Sequence, residues 1–285
     1  MVKRLSLLAF FVVFALIQGC SSSTGGQSVS TSGQQPIVSH CLNGQCPRWQ
    51  GDDSGDEIVL RQLFAAQVVA DDGAQLPRWV AYRLVGDGVG VASLLPREWQ
   101  VDELVSDARD LSLDDDARTR IFQPDLSDSQ DRAYRLTEVT LLAAEQGRLA
   151  PMTGFSATPY WDELNLLSNR GSLPSALRLG PWSRLDQALN EFIMRQDLPE
   201  TGLPPSVFVV SGPLPAGKNS RRGFFKVAVF GNKIAAFAFP LATEIHLNYC
   251  DFEADLEAIE AESNLTLFPV EIRDRSLSES LGCRG

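Results

Sequence analysis

Two arginines, Arg148 and Arg178, lie thirty residues apart in a part of this chain that could do chemistry. Arginine stays protonated at physiological pH, so neither side chain can act as a general base, and a guanidinium repels a metal cation. If the fold brings the two together, they suit an anionic ligand such as a phosphodiester, a carboxylate or a partner's acidic loop. Alternatively, they pair with acids nearby in the sequence and fill space. Those acids are Glu145, Asp162, Glu163 and Asp186.

The elements that must position these side chains include several short strands. Runs rich in aromatic and β-branched residues predict strands at Leu63–Ala70, Trp79–Leu84, Ser206–Val210, Phe224–Val229 and Ile234–Phe239. The last two flank Gly231-Asn232, which predicts a β-hairpin. Ser211-Gly212-Pro213 is expected to end the strand before it.

Two helices are predicted among these strands. Trp182–Arg195 begins after Pro181 and has apolar residues at helical spacing on one face, at Leu185, Leu189, Phe192 and Ile193. Asp251–Glu262 is an acidic helix whose buried side carries Leu256 and Ile259. Strands and amphipathic helices together indicate a mixed α and β domain.

The N-terminus has the pattern of an export signal. Lys3 and Arg4 precede a thirteen-residue apolar run, Leu5–Ile17, which is too short to span a bilayer comfortably and suits a secretory signal. Ile17-Gln18-Gly19-Cys20 resembles the lipobox of bacterial lipoproteins, although Gln18 departs from the usual small or β-branched residue. We therefore expect lipidation at Cys20; the alternative is an ordinary cleaved signal peptide.

Three segments follow from this interpretation. Residues 1–19 are the lipoprotein signal peptide, 20–39 are the acylated cysteine with a flexible tether rich in Ser, Gly, Gln and Thr, and 40–285 are one folded domain. Acyl chains on Cys20 would make the membrane a partner. Ser21 after Cys20 resembles the signal for outer-membrane sorting. The expected location is the bacterial cell envelope, as an outer-membrane lipoprotein facing the periplasm.

Four cysteines remain beyond Cys20, and an even number in an exported chain predicts disulfides. Three connectivities are open. We expect Cys41–Cys46 to close a small local loop and Cys250–Cys283 to hold the C-terminal tail. A zinc site is disfavoured because the chain has only two histidines and no second ligand pair at a familiar spacing.

The charge of the chain opposes binding to nucleic acid. Removing Lys3 and Arg4 leaves 23 basic against 36 acidic side chains, a net charge near −13. Proteins that bind nucleic acid draw much of their affinity from Lys and Arg at the phosphates. A local basic groove could still bind an anion against this overall field.

A series of short motifs occurs in the order found in one known family. They are His40–Pro47, Pro77–Tyr82, Glu145–Pro151, Leu167–Asn169, Gly180–Asp186, Phe208–Pro213 and Phe224–Val227. Together they resemble the DNA/RNA non-specific endonuclease family, over about His40 to Phe268. The resemblance implies an α+β fold: a ββα-metal nuclease-like domain with a mainly antiparallel central sheet flanked by helices.

The resemblance also assigns a site and shows where this chain departs from it. The family motif Asp-Arg-Gly-His-x-x-Pro is matched by Glu145-Gln146-Gly147-Arg148-Leu149-Ala150-Pro151, so Arg148 stands at the position of the histidine base. Arg178 stands at the position of the asparagine that ligates the metal, and Asp186 at that of a helix glutamate. Asn169 is retained, and the resemblance matches Arg120 to a phosphate-binding arginine.

Loss of the base and of the metal ligand together predicts a pseudoenzyme, because each supports half of the hydrolysis. The expected function is an anion, nucleic-acid or protein binding module, with an envelope protein as one candidate partner. No cofactor is expected. The alternative is an active metal-dependent endonuclease that cuts DNA and RNA with an altered site and uses Mg²⁺.

Overall fold

A central antiparallel sheet organises the protein, which a computed structural model describes over residues 27–29, 39–52, 55–69, 76–105, 147–198, 202–215, 223–268, 272 and 274–284. Its strands are β1 Gln27–Val29, β3 Asp56–Leu60, β4 Phe64–Val69, β5 Leu76–Val85, β8 Ser206–Leu214, β9 Gly223–Phe230 and β10 Lys233–Pro240. They are hydrogen-bonded in the order β1-β3-β4-β5-β8-β9-β10. Two short antiparallel ladders lie outside the sheet, β2 (Arg48–Trp49) with β11 (Leu265–Thr266), and β6 (Gly147–Arg148) with β7 (Arg170–Gly171).

Both faces of the sheet are buried. On β5, Trp79 and Ala81 pack into one core, whereas Val80, Tyr82 and Leu84 pack into the other. Successive side chains of a strand point to opposite faces, so a strand covered on both faces must be apolar throughout. This explains why the strands read in the sequence as continuous apolar runs.

Helices flank the sheet on its two faces. They are α1 Ser175–Leu177, α2 Ser183–Met194, α3 Leu256–Ser263 and α4 Ser276–Ser280. The predicted apolar face of α2 is buried against one side of the sheet, and Leu277 of α4 joins the same core. Ile259 of α3 is buried on the opposite side. The predicted α+β class, with an antiparallel central sheet flanked by helices, is confirmed.

The predicted hairpin is also present. β9 and β10 pair from Phe230 opposite Lys233 outward, which leaves Gly231 and Asn232 as a two-residue turn. Gly231 has φ of 61°, a left-handed conformation that glycine adopts without steric cost.

The predicted end of β8 was wrong. β8 continues through Ser211-Gly212-Pro213 to Leu214 instead of ending there. Its pairing with β5 stops at Ser211, while its pairing with β9 continues to Leu214. Proline lacks a backbone N–H, and it fits here because this end of the strand has a neighbour on one side only.

The acidic helix was predicted too long at its start. Residues Tyr249–Phe252 form a separate 3₁₀ turn, and α3 begins at Leu256. Asn248 causes the division, because its side chain accepts a hydrogen bond from Cys250 N–H while Asp251 accepts one from Asn248 N–H, which forms a capping box. Ile259 is buried as predicted, while Leu256 is only half-buried.

Both expected disulfides, Cys41–Cys46 and Cys250–Cys283, are formed. β1 lies within the segment predicted to be a tether, and it pairs with β3 at the edge of the sheet. The signal peptide and Cys20 lie outside the described residues. Among the residues that are described, no helix is long and apolar enough to cross a membrane.

Candidate functional site

Arg148 is held firmly at the start of the described segment 147–198. One terminal nitrogen of its guanidinium, Nη2, donates to the side-chain oxygen of Asn165 and to the backbone carbonyl oxygen of Arg97, the latter at 3.2 Å. Its guanidinium carbon lies 4.6 Å from the ring centroid of Trp99, within the range of a cation–π contact. Three separate contacts therefore fix where this cation points.

The loop that carries Arg97 and Trp99 is itself anchored to the segment around Asn165. Asn165 donates from its side chain to the carbonyl oxygen of Pro96 at 3.2 Å, and its own carbonyl accepts from Gln100 N–H at 2.9 Å. Leu167 N–H then donates to the carbonyl oxygen of Gln100 at 2.9 Å. Backbone and side-chain bonds together place the 96–100 loop beside β6.

Arg178 reaches the same region from a turn between α1 and α2. Residues Arg178–Trp182 form a single π-helical turn that is broken at Gly180. A Cβ atom at Gly180 would lie 2.6 Å from the carbonyl oxygen of Ile245, so only glycine allows the turn to approach the 245–247 segment this closely. This close packing sets the position from which the Arg178 side chain extends.

Arg148 remains a cation in this environment. Its pKa is lowered to about 10, first by burial and then by the positive charges of Arg97 and Arg178. A pKa near 10 still leaves the guanidinium protonated at neutral pH, so the side chain cannot remove a proton from water. Arg148 contacts the backbone of Arg97, and the charges of Arg97 and Arg178 act on its guanidinium. Arg97, Arg148 and Arg178 are together called the arginine cluster below.

The described acids do not neutralise the arginine cluster. Glu163 accepts hydrogen bonds from the backbone N–H groups of Gln62 and Leu63, at 2.8 and 3.2 Å. Asp186 forms an ion pair with Lys226. Within the described part of the chain, Arg148 and Arg178 form no ion pair with a carboxylate. The expected pairing with Asp162, Glu163 or Asp186 is therefore not formed, and Glu145 lies outside the described residues.

The Asp186–Lys226 pair lies beneath the turn that carries Arg178. Both side chains are buried, and the Lys226 ammonium lies 3.9 Å from the ring centroid of Trp182. Burial raises the pKa of Asp186 and lowers the pKa of Lys226, while their mutual attraction acts against both shifts. Lys226 thus supplies the positive charge that this carboxylate faces.

These residues do not fit a divalent metal. Asp186, assigned by the family resemblance to the metal's surroundings, already contacts an ammonium, and Arg178 presents a cation at the ligand position. No group of three or more His, Cys, Asp or Glu side chains that could hold a metal occurs among the described residues. Magnesium prefers oxygen ligands of negative or neutral charge, which this group of side chains does not offer.

Asn169 lies beside the residues that follow Arg148, and its side chain hydrogen-bonds to backbone groups there. It is fully buried, its side-chain oxygen accepts from Ala150 N–H at 2.7 Å, and its amide donates to the carbonyl oxygens of Ala150 and Leu164 at 3.1 and 3.0 Å. Its hydrogen bonds hold the turn after Arg148 against the 164–169 segment. Of the other predicted site residues, Gln146, Arg120 and Cys20 lie outside the described residues.

Neither histidine contacts Arg148. His40 is half-buried, with its Nε2 atom 2.9 Å from the carbonyl oxygen of Arg61. His246 is exposed, with its Nε2 atom 3.2 Å from a carboxylate oxygen of Glu244. The segment of His246 packs on the Arg178 turn, however, because Leu247 accepts from Arg184 at 2.8 Å and Ile245 abuts Gly180.

Four residues that shape this site were not predicted for it. Arg97 and Trp99 lie in a loop, and Asn165 ends the short 3₁₀ helix Trp161–Asn165, so no hydrophobic period shows which residues meet. Lys226 gave the one usable signal, because a lysine inside the apolar run 224–230 must either reach solvent or find a buried partner.

No family model matches the chain. Over 247 residues the chain is 24% identical to a protein of Serratia marcescens named "Nuclease", covering 81% of this chain and 80% of that protein. Among solved structures, it is similar to a chain of the crystal structure of the EndoG/EndoGI complex, which concerns EndoG inhibition. That similarity has a TM-score of 0.48 and 16% identity over 77% of this chain and 87% of the other. The Serratia alignment extends over most of the chain and not over one motif alone.

Proposed function

We propose that this member of the non-specific nuclease family is a pseudoenzyme, anchored in the cell envelope through Cys20, that binds an anionic ligand at its arginine cluster. The observation that carries the proposal is Arg148, a fixed and protonated guanidinium at the position where the resemblance places the catalytic base. A general base and a metal each contribute to hydrolysis of a phosphodiester, and arginines occupy the positions that the resemblance assigns to the histidine base and to the asparagine ligand.

The magnitude of the loss supports inactivity. A positioned general base accelerates a reaction by roughly 10²- to 10⁴-fold, and removing one electrostatic stabiliser costs roughly 10²- to 10³-fold. With Arg178 and Lys226 where a metal and its water shell would need negative or neutral ligands, both contributions are removed together. The residual rate would then fall far below that of a working nuclease.

A cleavage assay tests inactivity directly. The full-length chain, purified in detergent, is incubated with plasmid DNA and with RNA in Mg²⁺ or Mn²⁺, and no cleavage is expected. The double variant Arg148→His/Arg178→Asn restores the residue types of the family and is expected to gain activity on the same scaffold. Cleavage by the unmodified chain that is abolished by EDTA would overturn the proposal.

The alternative, an active nuclease with an altered site, has one observation in its favour. His246 and Glu244 form an exposed pair on a segment that packs against the Arg178 turn. Imidazole beside a carboxylate could take a proton, as in many general-base pairs. If the unmodified chain cleaves nucleic acid, the variant His246→Ala tests whether His246 is the base. Loss of cleavage in this variant would assign the base to His246, and persistence of cleavage would exclude that residue.

The lipid anchor has its own test. Metabolic labelling with a radioactive fatty acid is expected to mark the full-length protein and to disappear in Cys20→Ser. Ser21→Ala keeps the cysteine and is the matched control, in which labelling should remain. Labelling retained in Cys20→Ser would contradict lipidation at this residue and leave only an ordinary export signal. Fractionation of the labelled cells then tests the proposed outer-membrane location.

A further inference from the structure

The arginine cluster concentrates positive charge without a counter-ion from the described chain. Arg97 is exposed, and the contact made by its guanidinium is with the carbonyl oxygen of Ala92 at 3.4 Å. The Arg178 side chain forms no hydrogen bond or ion pair within the described residues, and its Nε atom is buried. Like charges held together in a partly buried site repel, so the cluster is poised to gain from a bound anion.

The donors that remain available belong to a rigid frame. Arg148 uses Nη2 for Asn165 and the backbone of Arg97, which leaves Nη1 without a partner in the described part of the structure. The Trp99 ring lies against the guanidinium and limits its rotation. A guanidinium whose direction is already set loses little conformational entropy when it binds an oxyanion.

The positive charge of the cluster favours the more highly charged ligand. A carboxylate or an internal phosphodiester brings one negative charge, whereas a phosphate monoester brings nearly two, with three oxygens that can accept hydrogen bonds from several guanidinium groups. Resting on the proposed function, we propose that the arginine cluster binds a phosphate monoester without a metal, as free phosphate or as the terminal phosphate of an oligonucleotide. In the second case the site would recognise the end of a strand, whereas an endonuclease cuts within a strand.

The pH dependence of binding is expected to come from protonation of the ligand and not from protonation of the protein. A phosphate monoester loses most of its second negative charge below about pH 6. Arg148 keeps its charge over this range, since its lowered pKa is about 10. Preference for the phosphorylated ligand should therefore be strong at pH 7.5 and weaken at pH 5.

The test uses the full-length chain in detergent with EDTA present. Fluorescent octathymidylates that carry a 5′-phosphate, a 3′-phosphate or hydroxyls at both ends are titrated by anisotropy, and inorganic phosphate is used as a competitor. At least tenfold tighter binding of a phosphorylated strand is expected, with loss of that preference in Arg148→Gln and in Arg178→Gln. Competition by millimolar inorganic phosphate would show that the phosphate alone is recognised, whereas competition by phosphorylated strands alone would assign the terminal phosphate of an oligonucleotide as the ligand.

Arg195→Gln is the matched control, because this exposed arginine follows the last residue of α2, about 18 Å along the helix from its first turn. It should bind like the unmodified chain. Equal affinity for all three strands, or a preference that survives both cluster variants, would overturn the phosphate proposal and leave inactivity untouched. Strand cleavage in the separate Mg²⁺ assay would overturn the proposed function without bearing on the phosphate preference.

Discussion

Asp186 and Lys226 form an ion pair in which both side chains are buried. A carboxylate removed from water must be paired, and in this chain its partner is an ammonium from β9 that also rests on Trp182. Each side chain supplies the opposite charge that the other would otherwise have to find in solvent. Lys226 and Asp186 therefore act as structural groups whose removal should affect folding first.

Removing one partner of this pair should destabilise the fold strongly, whereas removing both should destabilise it much less. Lys226→Met leaves Asp186 buried without a partner and is expected to lower the free energy of unfolding by about 3–5 kcal/mol. The double variant Lys226→Met/Asp186→Leu removes both charges and should lose much less than the two single changes added together. Urea unfolding of the three variants measures this difference, and additive losses would show that the charges are not coupled.

His40 gives a pH dependence whose sign can be stated. Burial lowers the pKa of His40 below its usual 6.5, so the stability from this residue is present above pH 6.5 and is lost as pH falls through the folded-state pKa. Unfolding free energy should fall between pH 6.5 and 5 by up to about 1.4 kcal/mol per pH unit for one proton. His40→Gln should flatten that slope.

The second histidine of the chain is the natural control. His246 is 72% exposed, and His246→Gln should leave the slope unchanged. Equal slopes in the unmodified protein and in His40→Gln, measured by urea unfolding at each pH, would show that His40 does not contribute.

Among the elements, the π-helical turn Arg178–Trp182 matters most for the site. It joins α1 to α2, places Arg178 in the arginine cluster and covers the buried pair through Trp182. The turn can adopt this position because Gly180 lies directly on the backbone of Ile245. One glycine thus determines how a whole connection packs.

Gly180→Ala tests that dependence. The new methyl group would lie 2.6 Å from the Ile245 carbonyl oxygen, so backbone must move, and we expect a loss of about 1–3 kcal/mol. The displacement should also weaken binding of the phosphorylated strand. Gly55→Ala, where nothing lies within 4 Å, should change the unfolding free energy by less than about 0.5 kcal/mol. Comparable losses in the two variants would argue against the contact.

The elements that sequence predicted well are those with a local signal. Gly231-Asn232 marks its hairpin by turn chemistry, and α2 shows its buried face by the spacing of Leu185, Leu189 and Phe192. The predicted β8 ended too early, at Val210, because the sequence does not show that one neighbouring strand ends before Pro213. Local patterns therefore predicted that the strands exist, whereas the residues at which they end depend on which strands pair.

The site was predictable only in part, for the same reason. Arg148 and Arg178 were found through motif positions, but their surroundings come from a loop brought in from about fifty residues earlier in the chain. Nothing in Arg97-Glu98-Trp99 indicates a partner, because loops carry no hydrophobic period. Asn169 was assigned to the site by resemblance, and the sequence did not indicate that its side chain hydrogen-bonds to the backbone of Ala150.

For the whole molecule, the two disulfides should contribute unequally. Cys250–Cys283 closes a separation of 33 residues and Cys41–Cys46 one of 5, so loop-closure entropy predicts stabilisation of about 3.7 and about 2 kcal/mol. The double-alanine variant at Cys250 and Cys283 should therefore unfold at lower urea concentration than the one at Cys41 and Cys46. The reverse order would show that native contacts around the short loop outweigh chain entropy.

Edge strand β1 has a mechanical consequence for an acylated protein. Gln27 is the seventh residue after Cys20, and fully extended chain covers at most about 3.5 Å per residue. With Cys20 held at the lipid surface, the β3 edge of the sheet can rise no more than about 25 Å above it. An acylated molecule would therefore be held with the β1 edge of its sheet close to the membrane.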